Sequence, residues 1–147
     1  MSEIYNSICI TSVMSTVCNL SGIETDVKTD SANTIITALA KKKLGDKKID
    51  RAVLYNPDAV ALWLYQKYTD LFTDCAVNSD IALPLLSVMP SVTPVCFASM
   101  YTGVQPEIHG IRKYEKPVIK IDTWFDALIR VGKKPVIIAD TQCSMGK

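Results

Sequence analysis

Three short apolar runs alternate with segments of helical spacing along this chain. That alternation limits the possible fold more than any other feature. The runs are Ala52–Tyr55, Leu83–Val88 and Pro135–Asp140. They are too short for buried helices and apolar at consecutive positions, as expected of strands covered on both faces. Pro84 limits the middle run to a strand end or an irregular segment.

Helical signals fill the intervals. Ile4, Ile8, Val13, Val17 and Leu20 are spaced for one face of a helix, with Gly22 as its stop. Residues 23–31 are polar and predict a loop. A second helix is expected from Ala32 to Lys43, its basic last turn suiting the helix dipole, with Gly45 beyond. After Asn56-Pro57-Asp58 a third helix is expected to run to Phe72, with Pro57 near its first turn. Thr93 reads as an N-cap with Pro94 at the first helical position, and this helix ends near Tyr101-Thr102-Gly103. A loop through Pro106, His109 and Gly110 follows. Asp122 reads as the N-cap of a helix over Thr123–Val131, closed by Gly132. Alternating strands and helices predict an α/β protein: an α/β/α sandwich with a largely parallel sheet, in one domain over residues 1–147.

The 147 residues are 48% hydrophobic and 21% charged, enough for a core. A net charge of +1 implies no strong field for nucleic acid or anionic lipid. Aromatics are sparse and not interleaved with basic runs, so neither a nucleic-acid nor a membrane partner is expected. Lys41-Lys42-Lys43 reads as a solvated helix end, and Trp63 and Trp124 as packing residues. Five cysteines without a CxxC pair argue against a disulfide framework or zinc knuckle, and fit a reducing, cytoplasmic compartment. No signal-peptide pattern and no membrane-length apolar run is present, so a soluble, intracellular protein is expected. The single histidine, His109, means that a metal centre built from several histidines cannot be completed by this chain.

The chemistry-bearing stretch is Met89 to Ile111. A hydroxyl residue after a strand end opens a helix, whose free N–H groups and positive dipole end favour an anion such as phosphate or sulfate. A threonine hydroxyl is a weak nucleophile, and without a histidine beside it metal coordination is the natural activation. In strand-end positions, Asn56, Asp58, Asp140 and Thr141 are further candidates for ligand contact.

Thr93 lies nine positions before Thr102-Gly103, with Pro106 and His109-Gly110 downstream. In this spacing, and in Pro90-Ser91-Val92-Thr93-Pro94, the chain resembles the alkaline phosphatase superfamily, in particular its type I phosphodiesterase/nucleotide pyrophosphatase branch. The resemblance covers roughly residues 50–140. It implies a metal-dependent hydrolase of phosphate esters acting through a covalent threonine intermediate on Thr93. It implies two divalent ions, Zn²⁺ or Mn²⁺, with Thr93 and a strand-end aspartate among their ligands. Asp58 is the candidate, displaced by about two residues from the usual position, which Asn56 occupies. Cys96, one turn after Thr93, is set aside as a nucleophile because the spacing to Thr102-Gly103 selects Thr93. His109 is read as a structural loop residue rather than a metal ligand. Nothing in the sequence matches the family's remaining ligands. The second half of the expected fold is missing, which favours a piece of a longer enzyme over a naturally short, inactive relative. The expected ligand is a small phosphate ester or nucleotide. An inactive phosphate- or nucleotide-binding module and a phosphomutase-like transferase are the alternative functions.

Overall fold

Residues 8–140 and Cys143 are described by a computed structural model of the chain. Ile4 and the tail positions other than Cys143 lie outside the described residues, as does Thr141. The chain divides into two units, one formed by residues 1–52 and 86–147, the other by Val53–Leu85.

In the larger unit, helix α1 spans Ser12–Ser21 and stops at Gly22, which adopts φ +67° and donates back to Asn19 and Cys18 carbonyls. Its Ser12, Met14, Thr16 and Cys18 are buried, whereas Val13, Val17 and Leu20, the face expected from apolar spacing, are half-buried. Helix α2 spans Thr34–Leu44. Its cap is Asn33, whose side-chain oxygen accepts from the N–H groups of Ile35 and Ile36, satisfying two donors that the helix itself cannot pair. Asn33 N–H in turn donates to Thr16 Oγ1 at 2.8 Å, which ties the cap of α2 to α1.

The smaller unit holds helix α3 at Leu62–Lys67, a 3₁₀ turn at Thr69–Phe72 and helix α4 at Thr73–Val77. The expected continuous helix from Pro57 to Phe72 is thus broken. The chain turns instead at Asp58–Ala59, with Ala59 at φ +57°. No residue of Val53–Leu85 is buried, and Trp63 is 61% exposed rather than packed.

Returning to the larger unit, α5 spans Thr93–Thr102, α6 Pro106–His109 and α7 Trp124–Arg130. Helix α5 is central: it packs against α1, α6 and α7. The core joins Cys9, Val88, Val95, Ala98 and Ile111, with Ile10, Val92, Cys96 and Ile119 against it. Val95 and Ala98 are at most 1% exposed. They lie three apart, so both face the same side of α5. Cys18 is buried as well, and burial, with Asp122 nearby, pushes its thiol up to about 11, which leaves it unreactive.

The expected α/β/α sandwich does not form. Among the described residues the β-pairing is a single isolated parallel bridge, Cys9 to Leu86, held by Leu86 N–H to Ile8 O and Ile10 N–H to Leu86 O. Ala52–Tyr55 and Pro135–Asp140 carry no ladder. A parallel strand needs neighbours and helices on both faces. The run of Ala52–Tyr55 has neither, and its Val53 and Tyr55 are 94% and 85% exposed. The result is a helical protein.

Candidate functional site

Helix α5 begins one residue earlier than its sequence signals suggest. Val92 is the N-cap in extended conformation, Thr93 the first helical residue and Pro94 the second. Cys96 N–H closes the first helical bond to Val92 O at 3.0 Å. Pro94 has no N–H, so Thr93 and Val95 are the residues whose amides precede the helical ladder. Thr93 is half-buried at the positive end of a ten-residue helix. Alongside this first turn lies a shallow pocket lined by Pro94, Phe97, Ala98, Ile111 and Ile119, together with Glu115 and Lys116.

The other end of α5 is built by the Thr-Gly pair. Thr102 Oγ1 donates to Ala98 O at 2.6 Å. Gly103 sits at φ +69° and its N–H returns to Ser99 O. A Cβ on Gly103 would stand 2.8 Å from Thr29 Cγ2, so the position needs glycine both for its conformation and for space. The loop bearing Thr29 is drawn in by Asp30 N–H to Gly103 O at 2.8 Å and Gln105 Nε2 to Asp30 Oδ2 at 3.1 Å. Thr102-Gly103 therefore has a structural task here: it stops α5 and seats the 23–31 loop.

His109 ends the short helix α6, where the sequence suggested a loop, and Gly110 closes it at φ +82°. The imidazole is 8% exposed. Its Nδ1 accepts from Ile111 N–H at 3.1 Å, and its Nε2 lies 2.9 Å from Ser99 Oγ. A ring nitrogen that accepts from an amide carries no proton, so the neutral ring's proton sits on Nε2 and points at Ser99. Burial lowers the pKa of His109, against a smaller opposing effect of Glu107, which keeps the ring neutral. The pair resembles a nucleophile and its base, but the tautomer is wrong for that role: Ser99 receives a proton where a base would remove one. Ser99 was not singled out from the sequence. Its spacing from Val95 and Thr102, one turn from each along α5, is the signal that places it on the buried face.

Asp58 and Asn56 belong to the smaller unit, Thr93 to the larger. Asp58 is exposed, and its Oδ1 accepts from Ala59 N–H at 2.8 Å, which fixes the turn. Among the described residues no three His, Cys, Asp or Glu side chains gather where they could hold a metal ion. Asp58 and Thr93 alone are too few donors to hold the two divalent ions that the sequence resemblance implies. Cys96 packs half-buried against the core, and Cys75 is exposed.

The expected cap Asp122 also has another task. Thr123 caps α7 in a capping box with Asp126, and Asp122 instead takes Arg130 in a bidentate pair at 2.7 and 2.9 Å. Its Oδ2 also accepts from Asp26 N–H at 3.2 Å. The Arg130 hydrogen bonds hold the Asp122 carboxyl below its usual range, outweighing partial burial.

No helix among the described residues is long and apolar enough to cross a membrane. No family model, curated protein or solved structure matches the chain.

Proposed function

We propose that this chain carries the nucleophile of a phosphate-ester hydrolase, and that the nucleophile is Thr93. The observation that supports this reading is the position of Thr93 as the first residue of α5. The positive end of a helix favours a phosphoryl group, and it stabilises charge as that charge develops on the phosphoryl oxygens. The Thr93 hydroxyl forms the new O–P bond, the ester oxygen leaves, and water then releases phosphate. Thr102-Gly103 and His109-Gly110 keep the geometry: the first closes α5, and the second docks the next helix against it. The one imidazole is occupied by Ile111 and Ser99, so it is not the group that activates the hydroxyl.

A second reading is a phosphate- or nucleotide-binding module without turnover. It is favoured by the scattered carboxylates and the committed histidine. Hydrolysis of a bis-aryl phosphodiester with added Zn²⁺ or Mn²⁺ separates the two. This chain and any longer product of the same gene are compared with their Thr93→Ala variants. The hydrolase reading requires turnover that Thr93→Ala abolishes. Phosphate binding with no turnover in any form, unchanged by the substitution, selects the binding module.

A further inference from the structure

Aromatic rings form a column along α5. The rings of Phe97 and Tyr101 lie parallel, with 5° between their planes and 5.8 Å between centroids. The two residues are four apart, so the column follows the helix axis. Phe125 of α7 meets Tyr101 at 5.1 Å and Trp124 meets Phe125 at 5.5 Å, which anchors the inner end. Tyr101 is buried and Phe97 half-buried, so exposure grows toward the start of the helix. One further step of four residues in that direction reaches Thr93. Helical side chains lean toward the N-terminus, so Phe97 leans over the turn that carries Thr93 and Pro94.

Phe97 also lines the pocket beside this turn, with Pro94, Ile111, Pro117 and Ile119 among its apolar members. The pocket is shallow and open, a shelf rather than a socket. A flat group fits it with one face against the protein. Of its charged members, Glu115 is paired with Lys113 at 3.4 Å and Lys116 has a contact of its own, so the shelf offers a ligand apolar surface. About 6 Å of helix separates Thr93 from Phe97, within reach of a ring joined to a phosphoryl group through one oxygen. We propose that this shelf holds the aryl group of the phosphate ester, seated against Phe97 while the phosphoryl group lies at Thr93. The assignment rests on Thr93 as the phosphoryl acceptor and names the ester it acts on, aryl rather than alkyl. The bound ring continues the column of Phe97 and Tyr101, and offset stacking of this kind is favourable beyond the area it buries.

Calorimetric titration of the full chain with phenylphosphonate and with methylphosphonate tests the shelf. Neither compound has an ester bond to break, so binding is read without turnover. Phenylphosphonate is expected to bind about tenfold tighter, the worth of one covered ring face. Phe97→Leu keeps an apolar side chain but removes the flat face, and brings the two affinities within about twofold. Phe97→Tyr restores the preference, with circular dichroism confirming that both variants fold. Thr93→Ala retains the preference, because the ring does not sit on the hydroxyl. Equal affinities for the two phosphonates overturn the proposal. So does binding of neither, or a preference unmoved by Phe97→Leu. The shelf and the nucleophile fail separately: equal phosphonate affinities reject the shelf, whereas ester turnover that survives Thr93→Ala rejects the nucleophile.

Discussion

Single residues here have tasks that their identities alone do not disclose. His109 is the clearest case. Its burial lowers the folded-state pKa, so the unfolded chain binds the proton more readily. Stability linked to this ring is therefore complete at neutral pH and falls as pH drops below the unfolded value of about 6.5. Denaturant titrations from pH 7.5 to 5 are expected to show that loss in the wild-type chain and not in His109→Gln. At pH 7, His109→Ala leaves Ser99 and Ile111 without their partner and costs about 1–3 kcal/mol. A substitution cost near zero, or no difference between the two pH profiles, contradicts the buried neutral ring. The sequence showed that His109 is the chain's one imidazole, which is enough to exclude a polyhistidine centre. It did not show what the ring touches, because Ser99 lies ten residues away and meets it only after α6 folds back on α5.

At the scale of elements, termini were more legible than partners. Gly22 and Gly103 stop α1 and α5 at the expected places because each adopts a left-handed conformation that other residues resist. The two glycines that close α5 and α6 are expected to differ in sensitivity. Gly103→Ala combines strain with the approach to Thr29 and costs roughly 2 kcal/mol or more, whereas Gly110→Ala, with open space around it, costs about 1 kcal/mol. Equal thermal shifts in the two variants would argue against the docking of the 23–31 loop. The cap of α7 was misread because Asp122 and Thr123 both have the chemistry of a cap. The deciding factor is Arg130, two turns on, which takes the Asp122 carboxylate. Since the pair lowers the Asp122 pKa, its stabilisation is present above the unfolded value of about 4 and is lost as pH falls through the folded one. Arg130→Ala is expected to flatten that acid limb of the stability curve.

For the molecule as a whole, the sheet was the expectation that failed, and the cause is non-local. Val53, Ile137 and their neighbours have the composition of buried strands, but a strand is completed only by a neighbour far along the chain. Helices satisfy their own backbone groups, so those of the larger unit form near their expected places, although the Pro57–Phe72 helix does not. In the smaller unit even the helices are short and bury nothing, which makes it the weakest region. Limited chymotryptic digestion is expected to cut within Val53–Leu85, at Trp63, Tyr65 or Tyr68, before cutting at Tyr101 or Trp124. Early cleavage at Tyr101 instead would show that the α5 core opens first. Of the motif, Thr93, Thr102 and His109 lie on α5 or α6, and Gly103 and Gly110 are the caps that close them. Asp58 was not, because strand-end geometry was assumed for a segment that forms a turn.

The most direct test of Thr93 as nucleophile is acid quenching during turnover of an aryl phosphate in the presence of Zn²⁺ or Mn²⁺, followed by peptide mass analysis. The chain and any longer product of its gene are assayed together. A phosphoryl group on Thr93, absent from Thr93→Ala along with turnover, is the predicted result. Turnover that persists in Thr93→Ala, or an adduct on another residue, would contradict it.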